Sequence, residues 1–142
     1  MTEVSFYIVE AEGADAGMRT ACRLAEKAHD QGHRVYLHVA DAAAAQTLDG
    51  LLWTFRQGSF VPHLVATARG EQDPTPVVIG HDAEPPGDFD DVLISLTDEV
   101  PAFFSRFTRS LEIVTPGNRL AARQRYRFYQ ERGYPLETHK IA

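Results

Sequence analysis

Five short apolar runs constrain this chain more than anything else in it. VSFYIV (4–9), RVYLHV (34–39), the segment 77–79, VLISL (92–96) and the segment 111–114 are strand-sized and rich in β-branched or aromatic residues. Helical patterns separate some of them. Over 14–31, apolar residues recur at helical period at Met18, Ala21, Leu24, Ala25 and Ala28, and Gly32 stops the helix as a C-terminal cap. Asp41 offers an N-cap for a helix through Leu48, Leu51 and Leu52. Pro101 can open a short helix holding Phe103, Phe104 and Phe107, and GHDAEPPGDFDD (80–91) reads as a proline- and aspartate-rich surface loop. Strands alternating with helices predict an α/β fold, a three-layer sandwich around a mainly parallel sheet. With no internal repeat and no linker, the expectation is a single domain over 1–142, ending in a basic helix at about 118–132.

The apolar share of 44% suffices for a buried core. The longest apolar runs are strand-sized, far short of a membrane span. Thr2, Glu3 and a strand pattern follow Met1 directly, so no signal-peptide pattern is visible and a cytoplasmic location with no membrane contact is expected. A lone cysteine, Cys22, leaves no internal disulfide and no multi-cysteine zinc site; at an apolar helical position it reads as a buried thiol.

The net charge of −6 is unevenly placed. Residues 1–118 hold 8 basic and 18 acidic side chains, a balance of −10, whereas residues 119–142 hold 6 basic and 2 acidic, a balance of +4. One end is therefore suited to an acidic partner, while the rest repels nucleic acid.

An α/β sheet invites a search for nucleotide chemistry. The turn after the first strand, EAEGADAGM, carries neither G-x-G-x-x-G nor a lysine-bearing phosphate loop, and its Glu10, Glu12 and Asp15 would repel a phosphate. Gly32 separates His29 from His33 and removes the shared helical face a metal pair would need. His63 and His81 lie in loops, with Asp82, Asp90 and Asp91 as possible partners, but no spacing demands a dyad. Ser95 reads as a strand residue. Catalytic residues, metal ligands and cofactors are accordingly assigned to none of these positions.

The stretch 118–136 carries five arginines, three tyrosines and a phenylalanine. At about 100° per residue, Arg119, Arg123, Tyr126 and Arg127 share one helical face about 100° wide. Ala121, Ala122, Phe128 and Tyr129 face largely the other way, as does Arg125, which is left out of the core-facing stripe. Arginine forks grip carboxylates bidentately, and a tyrosine ring can wall an apolar slot. The ligand that suits this face is anionic with one bulky apolar group, such as a peptide ending in a hydrophobic residue with its free carboxylate. Two other readings stay open here: a solvated helix paired with the acidic body, and direct binding of single-stranded nucleic acid. A small nucleotide-dependent α/β enzyme is the third alternative.

A second surface is suggested by LDGLLWTFRQGSFVPH (48–63). Leu48, Leu51 and Leu52 should pack inward, but Trp53, Phe55, Phe60, Val61 and Pro62 exceed what one short connection needs. Such a cluster is either core or an interface anchor.

These stretches, with SFYIV, VLISL and AARQRYRFYQERGYPL, resemble the chi subunit of the bacterial DNA polymerase III holoenzyme. The resemblance spans nearly the whole chain, and its most specific parts are the tryptophan-to-SFVPH segment and the ending R-x-x-Y-[KR]-x-Y-x-x-x-G. It implies a nucleotide-binding-like fold without a phosphate loop, and a non-enzymatic member of the clamp-loader assembly that needs no cofactor. It further implies a bridge between the psi subunit and the acidic, phenylalanine-terminated tail of single-stranded DNA-binding protein, with nucleic acid met mainly indirectly. By position, Arg123 would take the tail's terminal carboxylate and Tyr126 would line the slot for its ring. Arg119 and Arg127 would meet the upstream acids. Trp53 and Phe60, with Val61 and Pro62, would face psi, in a chain that is a monomer alone and a heterodimer with psi.

Overall fold

Strands whose two faces are both covered have no reason to alternate polar and apolar residues, and the central strands here do not. The computed structural model of the chain describes residues 1–81 and 84–141. Among them run, in order, β1 (Glu3–Val9), α1 (Ala16–Asp30), β2 (Val35–His38), α2 (Ala42–Thr54), β3 (His63–Val65), β4 (Val77–Gly80), β5 (Val92–Ser95), β6 (Arg109–Val114), α3 (Arg119–Glu131) and β7 (Leu136–Ile141). The strands form one sheet in the order β3-β4-β2-β5-β6-β1-β7, and every pairing is parallel. All residues of β4 and β5 are buried.

Alternate residues of each strand feed separate cores. On one face Leu37, Ile79, Ile94 and Ile113 pack with Ala21, Cys22 and Ala25 of α1 and Leu48 and Leu52 of α2. On the other, Phe6, Tyr36, Val78 and Leu93 pack with Phe104, Phe107, and Ala122 and Tyr129 of α3. The result is the expected α/β three-layer sandwich. Gly80 makes room in the second core: a Cβ there would stand 2.7 Å from Cζ of the Tyr36 ring.

Local stop and start signals act as the sequence predicts. Asp41 is the N-cap of α2, and its carboxylate accepts from the Ala44 amide at 2.8 Å. Gly32, at φ +86°, ends α1; its amide donates to the His29 carbonyl, and that of His33 to Ala28.

Two strands lie outside the sequence expectations. β3 has only three residues, and β7 reads LETHKI with four exposed positions. Both are edge strands, where burial imposes little pattern. The helix expected from Pro101 reduces to a single 3₁₀ turn, Phe104–Arg106, with Phe104 and Phe107 buried beside it. Asp82, considered above as a partner for His81, lies outside the described residues. No helix among the described residues is long and apolar enough to cross a membrane.

Candidate functional site

α3 begins and ends by explicit signals. The Thr115 amide donates to Asn118 Oδ1 at 2.8 Å in a capping box, Pro116 opens the turn, and the helix follows from Arg119. At its other end Gly133 adopts φ +77°, and the Tyr134 amide donates to the Tyr129 carbonyl at 3.2 Å. These signals set where the helix begins and ends.

Ala122, Arg125 and Tyr129 form the buried stripe of α3. The inclusion of Arg125 corrects the sequence reading, which set it apart from the core. Its side chain is 2% exposed, with Nε 3.4 Å from Oε2 of the fully buried Glu112 on β6, an ion pair rather than an aligned hydrogen bond. Arg125 Nη1 also donates to the Asp98 carbonyl at 3.0 Å, and the Tyr129 hydroxyl donates to Glu112 at 2.8 Å. Burial pushes the Glu112 carboxyl up to about 7, against the pull of Arg125 and of the hydroxyl hydrogen bonds it accepts. The Tyr129 phenol is raised strongly, first by burial and then by the Glu112 charge. Sequence periodicity could not reveal this pair, because neither partner marks the other.

The opposite side of α3 is basic. Arg119, Arg123 and Arg127 are exposed, and none has a carboxylate within ion-pair distance among the described residues. Tyr126 is half-buried, its ring 5.3 Å from that of Phe6 at 60°. Between helix and sheet opens a cleft of about 360 Å³. Arg119, Ala122, Arg123 and Tyr126 line it from α3, Phe6 and Ile8 from β1, Val114 from β6, and Thr138 and Lys140 from β7, with Glu10 at the end of β1. Three of the four expected residues thus meet at one cavity. Arg127 does not line it; it stands further round the helix, on the crest facing solvent. The β7 lining escaped sequence reasoning together with the strand that carries it.

The second surface splits. Trp53 is 56% and Phe60 65% exposed, with ring centroids 5.8 Å apart. Pro62 is half-buried, and Phe55 is partly buried against the first core. Val61 is 1% exposed and belongs to that core, which corrects its assignment to an interface surface. Phe60 beside it stays exposed, so the loop turns one of two adjacent apolar side chains inward and the other out. Under Trp53 lies the His63 ring, 4.8 Å away, with its side chain fully buried between Asp49 Oδ1 at 3.2 Å and the Val61 carbonyl at 2.6 Å. The loop carrying Phe60 is held to α1 by Glu26, which accepts from Arg56 at 2.7 Å and from the Ser59 hydroxyl. Those bonds, that of Arg56 foremost, hold the Glu26 carboxyl below its usual range.

The two surfaces are far apart. Trp53 and Phe60 flank β3 at one end of the sheet, on the α1–α2 face; the cleft lies over β6, β1 and β7 at the other end, on the α3 face. Five strand spacings separate β3 from β1, about 24 Å.

The crevice where a nucleotide would be expected has the wrong charge. Connections leaving β2 and β5 pass to opposite faces, and a cavity of about 620 Å³ opens at their carboxyl ends. Glu84, Asp98 and Glu99 line it, with no lysine or arginine among the lining residues. After β1, Asp15 is paired with Arg19 at 2.6 Å, which holds its carboxyl low. A phosphate would meet carboxylates at both places. Among the described residues, no group of three or more His, Cys, Asp or Glu is placed to hold a metal ion.

Proteins similar to this chain point to one family. The family profile described as "DNA polymerase III chi subunit, HolC" matches residues 1–137. The DNA polymerase III subunit chi of Pseudomonas aeruginosa is 48% identical over 143 residues, covering 99% of this chain and 98% of the relative. That of Escherichia coli is 31% identical, covering 97% of each. Among solved structures, domain 2 of the DEAD-box helicase Mss116p bound to an RNA duplex superimposes with a TM-score of 0.67 at 10% identity. T4 UvsW does so with 0.69 at 5%. Each match covers 99% of this chain, but 64% and 41% of the respective helicase chains, and shows the sheet architecture alone. A profile match over nearly the full length and two extensive relatives of one name lead to a single conclusion: this chain belongs to the DNA polymerase III chi subunit family.

Proposed function

We propose that the chain is a non-catalytic accessory subunit that joins two partners in the polymerase assembly. The exposed Trp53–Phe60 pair holds the psi subunit, and the α3 cleft takes the acidic C-terminal tail of single-stranded DNA-binding protein. The observation that carries the second half is the cleft itself, where arginines with no ion-pair partner among the described residues border an apolar slot walled by Tyr126 and Phe6. Arg123 meets the terminal carboxylate, the slot takes the terminal phenyl ring, and Arg119 meets the acids next upstream. Arg127, on the crest, meets acids further along the tail. Separation of the two surfaces by about 24 Å lets both partners bind at once.

The test is calorimetric titration with a synthetic acidic peptide ending in phenylalanine, beside the same peptide lacking that last residue. A slot for the ring predicts a large loss of affinity on its removal; equal affinity for both would leave only a non-specific basic face. Binding of bare single-stranded DNA as tightly as the peptide would favour the nucleic-acid reading instead.

A further inference from the structure

The sheet side of the cleft carries a cation that lies off α3 altogether. β7 runs parallel to β1 with Ile8 opposite Lys140, and β6 runs on the other side of β1 with Val114 opposite Ile8. Side chains alternate faces along a strand, so Val114, Ile8 and Lys140 form one row across three strands, on the face that α3 covers. All three line the cleft. Lys140 is exposed and has no carboxylate within ion-pair distance among the described residues. Among the described residues Glu10 is the single acid in the lining, against Arg119, Arg123 and Lys140.

The cleft therefore has cations on both walls, with an apolar floor of Phe6, Ile8 and Val114 between them. A C-terminal residue bears its side chain and its carboxylate on the same carbon. When its ring rests on that floor, the carboxylate lies between the walls. An arginine fork approaches it from the helix, and a compact ammonium from the strand complements the fork by meeting the charge from the other side. We infer that Lys140 is a specificity-determining residue of the cleft, the sheet-side counter-charge for a free terminal carboxylate. This rests on the proposed tail-binding role of the cleft and adds a wall to it.

The experiment is a cycle of two proteins and two peptides. Full-length wild type and Lys140→Gln are each titrated with an acidic peptide ending in phenylalanine, once with a free carboxylate and once amidated. Arg123→Ala serves as the reference variant. The expected result is an affinity about fivefold lower for the carboxylate peptide in Lys140→Gln, the upper range for a partly exposed ion pair. The amidated peptide should lose less than about twofold, because the charge that Lys140 meets is already gone. Equal weakening of both peptides would reduce Lys140 to general electrostatics and overturn the assignment. Undiminished carboxylate binding in Lys140→Gln, while Arg123→Ala loses it, overturns this inference and leaves the cleft's role standing. If the wild-type chain binds neither peptide, the proposed role of the cleft fails, and the assignment of Lys140 fails with it.

Discussion

Arg123 and Arg125 stand two positions apart on α3 and end in opposite surroundings. Arg125 is 2% exposed against the buried Glu112, while Arg123 borders the open cleft with no carboxylate within ion-pair distance among the described residues. One guanidinium fastens the helix to the sheet; the other is exposed at the cleft, where the proposed role gives it a ligand. Substituting either by alanine separates the two roles.

Arg123→Ala should weaken the tail peptide by about 1.5–3 kcal/mol, the range for a charge-assisted hydrogen bond. The thermal midpoint should stay within about 1–2 °C of wild type, because the side chain is solvent-exposed. Calorimetry and a melting curve on the same sample check both halves. At pH 8, where Glu112 is ionised, Arg125→Ala should do the reverse to the fold, costing about 3–5 kcal/mol by leaving that buried carboxylate without its counter-ion.

Phe60→Ala should abolish or strongly weaken co-purification with psi, leave peptide affinity unchanged, and alter stability by less than about 0.5 kcal/mol, since the ring is 65% exposed. Its neighbour gives the contrast. Val61→Ala removes two methyl groups from a side chain that is 1% exposed and should cost about 2 kcal/mol in denaturant unfolding.

Glu112 should make stability depend on pH in an unusual direction. Its carboxyl is raised to about 7 in the fold from an ordinary value of 4.5, so the folded chain holds a proton there that the unfolded chain has released. The contribution is fully present below pH 4.5 and is lost as pH rises towards and through 7, on the order of 3 kcal/mol in all. Unfolding free energies at pH 5 and pH 8 should therefore differ more for wild type than for Glu112→Gln. The acids held low, Asp15, Glu26 and Asp73, act oppositely and only near and below the ordinary carboxylate range. A slope identical in the two proteins would show that Glu112 titrates normally.

Gly80→Ala should destabilise the second core by about 1–3 kcal/mol, the usual cost of overpacking. The added methyl would stand 2.7 Å from the Tyr36 ring carbon. Tyr36→Phe in the Gly80→Ala background should recover part of the loss, because the hydroxyl is the atom most in the way.

How much of this was legible depends on whether a residue's neighbours in the chain share its environment. β1, β2, β4, β5 and β6 stand out because covered strands concentrate β-branched and aromatic residues over four or more positions. Gly32 and Asp41 mark helix ends because capping is chemistry between residues a few positions apart. Arg119, Arg123 and Tyr126 could be grouped by helical period alone, and the cleft does gather those three. Lys140 could not, since LETHKI has no apolar period and its place beside Ile8 is a long-range pairing. Arg125 misled for a related reason: a charge on an amphipathic helix is read as outward unless its partner is known, and Glu112 lies 13 residues upstream on another element. Val61 misled by company, placed among exposed aromatics whose direction it does not share.

The cleft's floor and sheet-side wall come from β1 and β7, the first and last strands of the fold, laid side by side. Its arginines come from α3, which precedes β7 in the chain. A chain clipped after α3 would lack Thr138 and Lys140, and with them the sheet-side wall of the groove. On the tail-binding role proposed above, an incoming tail finds both walls of its groove only where the first and last strands are paired.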